Sequence, residues 1–379
     1  MSLPYRAWAE VDLSALRENL TWIRHRVGPT SKIMTVVKAD AYGHGLKPIA
    51  ALLMQSGTDI FGVANLVEAH VIRSVGKGWP ILMLGACVPD EFEFAVRDGV
   101  MVTLSTFNEA QQLAAVARKL NKPGLAHLKI DTGMARLGVP AEQAALLCEQ
   151  IERLPGVSLQ GIYTHFSSVE DDARYTRHQQ RRFAEALQAI TEKRTIPYIH
   201  ANNSGGLLLE PGCVYNTVRP GLLVYGILPN GRRRIELSLA GNFRPALSWK
   251  CRVSLVKEVR PGTALSYGRS FVAKRKMRVA TLTAGYGDGY LRAGSNRSQV
   301  LIRGRLCRIV GRITMDQMLA DVSRVPDVTS GDEVVLIGRQ GNAQVRANDL
   351  AEWFGTIPWE VLTNITYRVP RIYRGSNAA

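Results

Sequence analysis

Thr35-Val-Val-Lys-Ala-Asp-Ala-Tyr-Gly-His-Gly-Leu46 is the stretch on which the fold turns. An apolar strand pattern, Ile33 to Val37, runs directly into Lys38 and then into a polar turn holding Gly43 and Gly45. Burying an ammonium costs several kcal/mol unless it is paired or neutralised. A lysine at the mouth of a buried strand therefore either reaches past the strand end into water or is kept there for use. A desolvated lysine has a depressed pKa and a nucleophilic amine, which suits Schiff-base chemistry with an aldehyde cofactor.

Working outward, short apolar runs alternate with longer amphipathic ones. Leu13 to Val27 carries Leu16, Leu20, Ile23 and Val27 at near-helical spacing. Strand patterns fall at 33–38, 59–65, 80–86, 101–105, 126–131, 159–165, 198–203 and 217–225, and helical stretches such as 108–120, 141–154 and 172–193 separate most of them. Eight strands alternating with helices predict an α/β fold, a (β/α)8 TIM-like barrel over residues 1–240, with a doubly wound sheet as the alternative. A linker pattern follows at 228–245, around Pro229-Asn-Gly231. Beyond it strand patterns dominate, at 249–259, 277–283, 299–310, 319–322 and 332–337, with late helices at 347–354 and 359–364. Residues 241–379 thus read as a mostly β C-terminal domain, on which the first ten residues or so can pack.

At 379 residues with 46% apolar composition, the chain suits two soluble globular domains. No run approaches the roughly 20 apolar residues of a membrane span, and the N-terminus lacks an apolar signal core. Five scattered cysteines without a CxxC pair predict reduced thiols in the cytoplasm and no metal site. The net charge of +16 raises the question of nucleic acid. Its basic runs, Arg232-Arg-Arg234 and Lys274-Arg-Lys276, are short and lack interleaved aromatics, so they read as solvated loops; the charge suits small anionic ligands.

In a barrel, reactive side chains sit just after each strand. Lys38 and Tyr42, the segment Lys129 to Arg136, His165, Asn203-Ser204-Gly-Gly206 and Arg219-Pro-Gly221-Leu222 all fall there. If Lys38 holds pyridoxal 5'-phosphate, Ser204 and the turn at Gly221 and Leu222 are a phosphate cradle, with Tyr42 as a further donor. Arg219 is the candidate partner of the pyridine nitrogen. An arginine only donates, so it leaves that nitrogen unprotonated and the ring a weak electron sink, which favours proton removal and return. Racemisation fits, and it calls for a second acid/base group on the opposite face.

These residues carry a resemblance. Val36-Val-Lys-Ala-Asp-Ala-Tyr-Gly-His-Gly45 closely resembles the cofactor-lysine signature of the bacterial alanine racemases, pyridoxal-phosphate enzymes of fold type III. The likeness continues through Lys129-Ile-Asp-Thr-Gly-Met-Ala-Arg136, Thr164-His-Phe166, Asn203-Ser204, Val218-Arg-Pro-Gly221, Ser266-Tyr-Gly268, Gly285-Tyr-Gly-Asp-Gly-Tyr290 and Gly311-Arg-Ile-Thr-Met-Asp-Gln317, over nearly the whole chain. It implies that Lys38 and Tyr267 are the two catalytic bases, Tyr267 coming from the other subunit of a head-to-tail homodimer. Arg219 would bond the pyridine nitrogen, His165 would link Tyr267 to Arg219, and Tyr42, Ser204, Gly221 and Leu222 would hold the phosphate. Arg136 would lie by the cofactor phenolic oxygen, Met315 would contact the substrate carboxylate, and Asp316 would line the site. Lys129 matches a position often carbamylated, and Asp171, Tyr286 and Arg292 resemble entryway residues.

One departure stands out. Trp359, in Pro358-Trp-Glu-Val361, falls where the family commonly has a tyrosine on the cofactor phosphate. The expected activity is interconversion of L- and D-alanine, supplying D-alanine for peptidoglycan, with no membrane or nucleic-acid partner. A serine or broader racemase, a decarboxylase of the same fold, and a noncatalytic cofactor-binding protein are the other readings. Arg219 argues against decarboxylation, which benefits from a protonated ring. Tyr267 and the second domain argue against loss of catalysis.

Overall fold

The computed structural model describes residues 5–192, 194–229, 231, 233 and 241–375. Two compact units emerge: Arg17–Ala41 with Gly45–Arg244, and the first strand with Tyr42–His44 and the chain from Pro245 onward.

The first unit is a closed parallel barrel. β1 (Ala7–Asp12) belongs elsewhere, so the barrel strands are β2 (Lys32–Val36), β3 (Ile60–Val63), β4 (Ile81–Ala86), β5 (Met101–Leu104), β6 (Gly124–Asp131), β7 (Val157–Tyr163), β8 (Tyr198–His200) and β9 (Thr217–Val218). Each pairs with the next, and β9 returns to β2 through Thr217 beside Lys32 and Val218 beside Ile33. Strands covered on both faces read as continuous apolar runs, and β3 and β5 are buried at every residue. Met34, Ile60, Leu82 and Met101 pack inside the barrel, with Leu84, Leu125 and Tyr198 against them.

Two local expectations change. The run 217–225 is strand only at Thr217-Val218, because successive short bonds such as Val224 N–H to Gly221 O and Tyr225 N–H to Leu222 O coil the rest into turns. The eighth strand is thus short, and Arg219 stands just beyond it. Likewise 198–203 is strand only to His200, since Asn203 accepts the Gly206 N–H and caps a helix at Ser204–Leu209. The linker pattern falls partly on residues outside those described, among them Asn230, Arg232 and Arg234. Arg233 is not a solvated loop residue: its guanidinium is held by Glu210 at 2.6 Å and the Val169 carbonyl at 3.0 Å.

The second unit is strand-rich. β10 (Leu247–Val259), β11 (Met277–Leu282), β12 (Gln299–Ile302), β13 (Arg305–Arg308), β14 (Met318–Asp321), β15 (Glu333–Gln340) and β16 (Arg371–Arg374) form its main sheet with β1. The order is β13-β12-β15-β10-β1-β16, with β11 on β10 and β14 on β11. β1 runs antiparallel to β10 and parallel to β16, so the first and last described strands share one sheet. The apolar run 299–310 is not one strand. It reverses at Arg303 and Gly304, both at positive φ (49° and 73°), the backbone that a tight hairpin requires. Helices cover Ala347–Phe354 and Pro358–Thr363, close to expectation. Among the described residues no helix is long and apolar enough to cross a membrane.

Candidate functional site

Lys38 does not end a strand; it opens a left-handed turn. Ala39, Asp40, Ala41 and Tyr42 all have φ between 52° and 54°, a conformation that costs an L-residue roughly 1–2 kcal/mol. No glycine relieves it, so bonds at its edges must hold it. The Ala41 N–H donates to the Val37 carbonyl at 2.9 Å, Asp40 accepts the Leu46 N–H at 2.6 Å, and Glu68 accepts the Ala39 N–H at 2.6 Å and that of Ala64 at 2.7 Å. The sequence reading placed the turn at Gly43 and Gly45 and missed this one.

The Lys38 side chain reaches the surface, yet most of its length is crowded by the barrel mouth. That crowding, then the charge of Arg136, lowers its pKa below the ordinary lysine value, with Glu68 opposing. Lys129, on β6, is 2% exposed. Burial, then Arg219 and Arg136, brings it down to about 8. Its Nζ lies 5.1 Å from the centre of the Tyr163 ring. Arg136 follows on a loop wound around Asp131, whose carboxylate accepts the N–H groups of Gly133, Met134 and Ala135. Four cations thus gather at one end of the barrel.

Arg219 is the best-anchored of them. It is 3% exposed, and burial lowers its pKa to about 10. Nη1 donates to His200 Nδ1 at 2.6 Å, and Nη2 donates to the carbonyls of Thr164 (2.8 Å) and Ala201 (2.9 Å) and to His165 Nδ1 (3.2 Å). Its Nε donates to none of the described residues, so that directed donor is left for another group. Tyr163 stacks on His200 with ring centres 4.7 Å apart and faces the guanidinium at 5.3 Å.

The cradle is equally concrete. Ser204 Oγ accepts the N–H groups of Gly221 at 3.0 Å and Leu223 at 3.3 Å, joining the two turns. The amides of Ser204, Gly205 and Leu222, all buried residues, donate to none of the described residues. Unpaired buried amides are rare in folded proteins. Three such amides on two turns joined by Ser204 Oγ are donors of the kind a phosphate takes.

The other candidates lie in the strand-rich unit. Tyr267 stands on a turn between two-residue strands, 72% exposed, with the turn fixed by Ser266 Oγ on the Arg312 carbonyl at 2.6 Å. Leu265 beneath it is buried with Val259, Met277 and Val310. Tyr286 and Met315 are brought together by two backbone bonds, Tyr286 N–H to Thr314 O and Gly287 N–H to Met315 O. Asp316 pairs with Arg368 at 2.7 Å, and Arg368 also reaches the buried Asp288 at 3.4 Å. The loop of Arg292 joins this group where Ser295 Oγ accepts the Ile313 N–H at 3.0 Å. Trp359 is half-buried on its helix, Tyr42 is buried, and Asp171 is exposed in the first unit. No group of metal-ligating side chains occurs among the described residues, and Cys87, Cys148, Cys251 and Cys307 are free thiols.

His200, Tyr163 and His127 were missed. His127 and Lys129 alternate along β6, so a period-of-two reading puts both inside the barrel. His200 closes β8, as His165 lies two residues beyond β7. Arg368, which ties Asp316 to Asp288, carries no such signal.

A parallel barrel with a crowded lysine and a buried arginine just beyond two neighbouring strands, joined in one chain to a strand-rich second unit, defines a two-unit barrel protein. The alanine racemase N-terminal domain family matches residues 11–229 and the alanine racemase C-terminal domain family residues 246–373. The alanine racemase of Halothermothrix orenii is 40% identical over 369 residues, covering 97% of this chain and 96% of that protein. The solved structure of alanine racemase from Clostridium difficile superposes with a TM-score of 0.93 at 33% identity, over 99% of this chain and 97% of that one. The alanine racemase of Bartonella henselae with covalently bound pyridoxal phosphate does so with a TM-score of 0.88 at 28% identity, covering 98% and 100%. The chain belongs to the alanine racemase family.

The electrostatics have a consequence for stability. Burial, then Arg219, holds His127 at about 3, against 6.5 when unfolded. Between those values the unfolded chain binds the extra proton, so stability falls as the pH drops below about 6.5. His127 alone should cost about 2 kcal/mol between pH 6.5 and pH 5. Urea unfolding at the two pH values, for the native chain and for His127→Leu, measures it: the variant should lose less stability over that interval, and an equal loss would sink the assignment.

Proposed function

We propose that this protein interconverts L- and D-alanine with pyridoxal 5'-phosphate held at Lys38, and that D-alanine for peptidoglycan is its product in the cytoplasm. The observation that carries the reading is Arg219, a buried guanidinium held by two carbonyls and two histidines with its Nε left unengaged by the described residues, at the mouth of the barrel that bears Lys38. When bound, the cofactor supplies the conjugated ring that makes the alanine α-proton removable. Lys38 is suited to take and return that proton, because its lowered pKa raises the neutral, basic fraction. Arg219 holds the pyridine nitrogen by donation alone, which keeps the electron sink weak and confines the chemistry to proton exchange. The amides of Ser204, Gly205 and Leu222, with Tyr42, hold the phosphate, and Gly221 provides the turn.

Tyr267 of the partner subunit is the base for the opposite face. The exposed Tyr267 (72%), Met315 (52%) and Tyr286 (41%) support a head-to-tail homodimer, because a second copy would cover them and complete each site. Met315 and Asp316 line the substrate end, Arg136 lies by the cofactor phenolic oxygen, His165 connects Tyr267 to Arg219, and Asp171, Tyr286 and Arg292 form the entryway. The direct check is chiral separation after incubating purified protein with L-alanine and cofactor. Native protein should racemise, and Lys38→Ala and Tyr267→Phe should each lose at least a hundredfold. Full activity in either variant would remove that residue from the two-base scheme.

Lys129 is the second element of the proposal. Against these four cations the described residues set Asp131 beside Lys129 and Glu68 beside Lys38, and an amine brought down to about 8 is partly neutral near pH 7 and open to carbon dioxide. A carbamate there would turn a buried cation into an anion that pairs with Arg136. Isotope-labelled bicarbonate should give a protein-bound carbamate signal that disappears in Lys129→Ala and on acidification. No signal in the native protein would refute it.

Trp359 distinguishes this chain. It keeps an aromatic ring and one N–H donor but lacks the tyrosine hydroxyl and adds bulk, which biases the pocket toward small substrates. Trp359→Tyr should improve kcat/KM on serine relative to alanine by several-fold, since one added or missing group in a pocket is worth about 1–3 kcal/mol. Unchanged constants on both substrates would dispose of the idea.

A further inference from the structure

Behind Arg219 lies a histidine pair for which the proposed reaction has no use. His200 Nε2 and His127 Nδ1 are 2.9 Å apart, and both residues are fully buried. The direction of each bond in this chain is forced. A guanidinium only donates, so His200 Nδ1, at 2.6 Å from Arg219 Nη1, accepts. Burial beside that cation keeps both imidazoles neutral. A neutral His200 that accepts at Nδ1 carries its proton on Nε2, and among the described residues that proton meets His127 Nδ1, which accepts in turn. His127 then has its proton on Nε2, a buried atom without a hydrogen-bond partner.

The fold goes out of its way to seat this ring. Gly161 on β7 lies against it, and a Cβ there would come within 2.5 Å of Nδ1 and Cε1. Tyr198 stacks on its far side, ring centres 5.5 Å apart and planes 20° from parallel. A hydrocarbon side chain would fill the space without leaving a polar nitrogen unpaired. What it would lack is the acceptor for His200.

We propose that His127 is a positioning residue for Arg219: by accepting the Nε2 proton of His200 it locks His200 in the tautomer whose Nδ1 holds the Arg219 guanidinium. Without that acceptor the buried Nε2–H of His200 would be left unpaired, which removes half of what favours this tautomer and lets the form protonated on Nδ1, opposed to Nη1 donor to donor, compete with it. Arg219 would then lose one of its anchors and the aim of its Nε. This function rests on the reading that Arg219 faces the cofactor ring; the tautomer lock itself does not.

The experiment uses the full-length protein with isotope-labelled histidine, whose seven residues give ring-nitrogen resonances that report the tautomer. His127→Leu removes the acceptor, with His127→Phe as a second variant without one, and His127→Asn keeps an oxygen near the position of Nδ1. Each is also titrated with pyridoxal 5'-phosphate by fluorescence. The lock predicts the Nε2–H form of His200 in native protein and in His127→Asn, and a shift toward the Nδ1–H form in His127→Leu and His127→Phe. Cofactor affinity should fall about tenfold in the last two and recover in His127→Asn, the loss expected for one anchor of a charged group. An unchanged His200 tautomer in His127→Leu and His127→Phe, with only a lower melting temperature, would overturn the proposal and leave His127 a packing residue. A changed tautomer with unchanged cofactor affinity would support the lock and count against the placement of Arg219 at the ring.

Discussion

A guanidinium held out of water sets the terms for the barrel mouth. Arg219 cannot lose its proton under ordinary conditions, and a buried ion is tolerated only where its donors are met. Two backbone carbonyls and two histidines meet those of Nη2 and one of Nη1, drawn from the end of β8 and the segments after β7 and β8. Those histidines must then stay neutral, Tyr163 must lie flat beside them, and Gly161 must give up its side chain for the ring behind. One charge therefore dictates the residue types on three strands.

The left-handed turn after Lys38 is a second constraint of the same kind. Four consecutive L-residues in that conformation would unwind if left to themselves. Glu68 and the Val37 carbonyl hold the turn from outside and the Asp40 side chain ties it forward to Leu46, so the direction in which Lys38 leaves β2 is set largely by its surroundings. Strain of this sort concentrates at reactive sites because the neighbourhood over-determines it.

The strand-rich unit solves a different problem, which is to hold exposed side chains still. Tyr267, Tyr286 and Met315 stand on loops, and each loop is stitched to another by backbone and hydroxyl bonds. The Asn296 carboxamide, for example, reaches both Ser270 and the Gly311 N–H. Below the Tyr267 turn, Leu265 and Phe271 key into an apolar cluster. Exposure here comes with loops tied to one another by hydrogen bonds.

Much of this was legible in the chain itself. Alternating short apolar runs and amphipathic stretches determined the barrel, because a strand buried on both faces must be apolar and a covering helix must have one apolar side. The change to strand patterns after Pro245 determined the second unit, and the motif around Lys38 with those that follow it determined the family resemblance. Tertiary structure alone decided the rest. The hairpin at Arg303-Gly304 and the turn that truncates β9 depend on backbone angles and short-range bonds that apolar patterning does not encode. The left-handed turn contains none of the glycines that announce such angles. His200 and His127 acquire their meaning only when four strands distant in sequence close around one guanidinium, since a buried charge selects its neighbours by proximity in space and leaves no periodic mark along the chain.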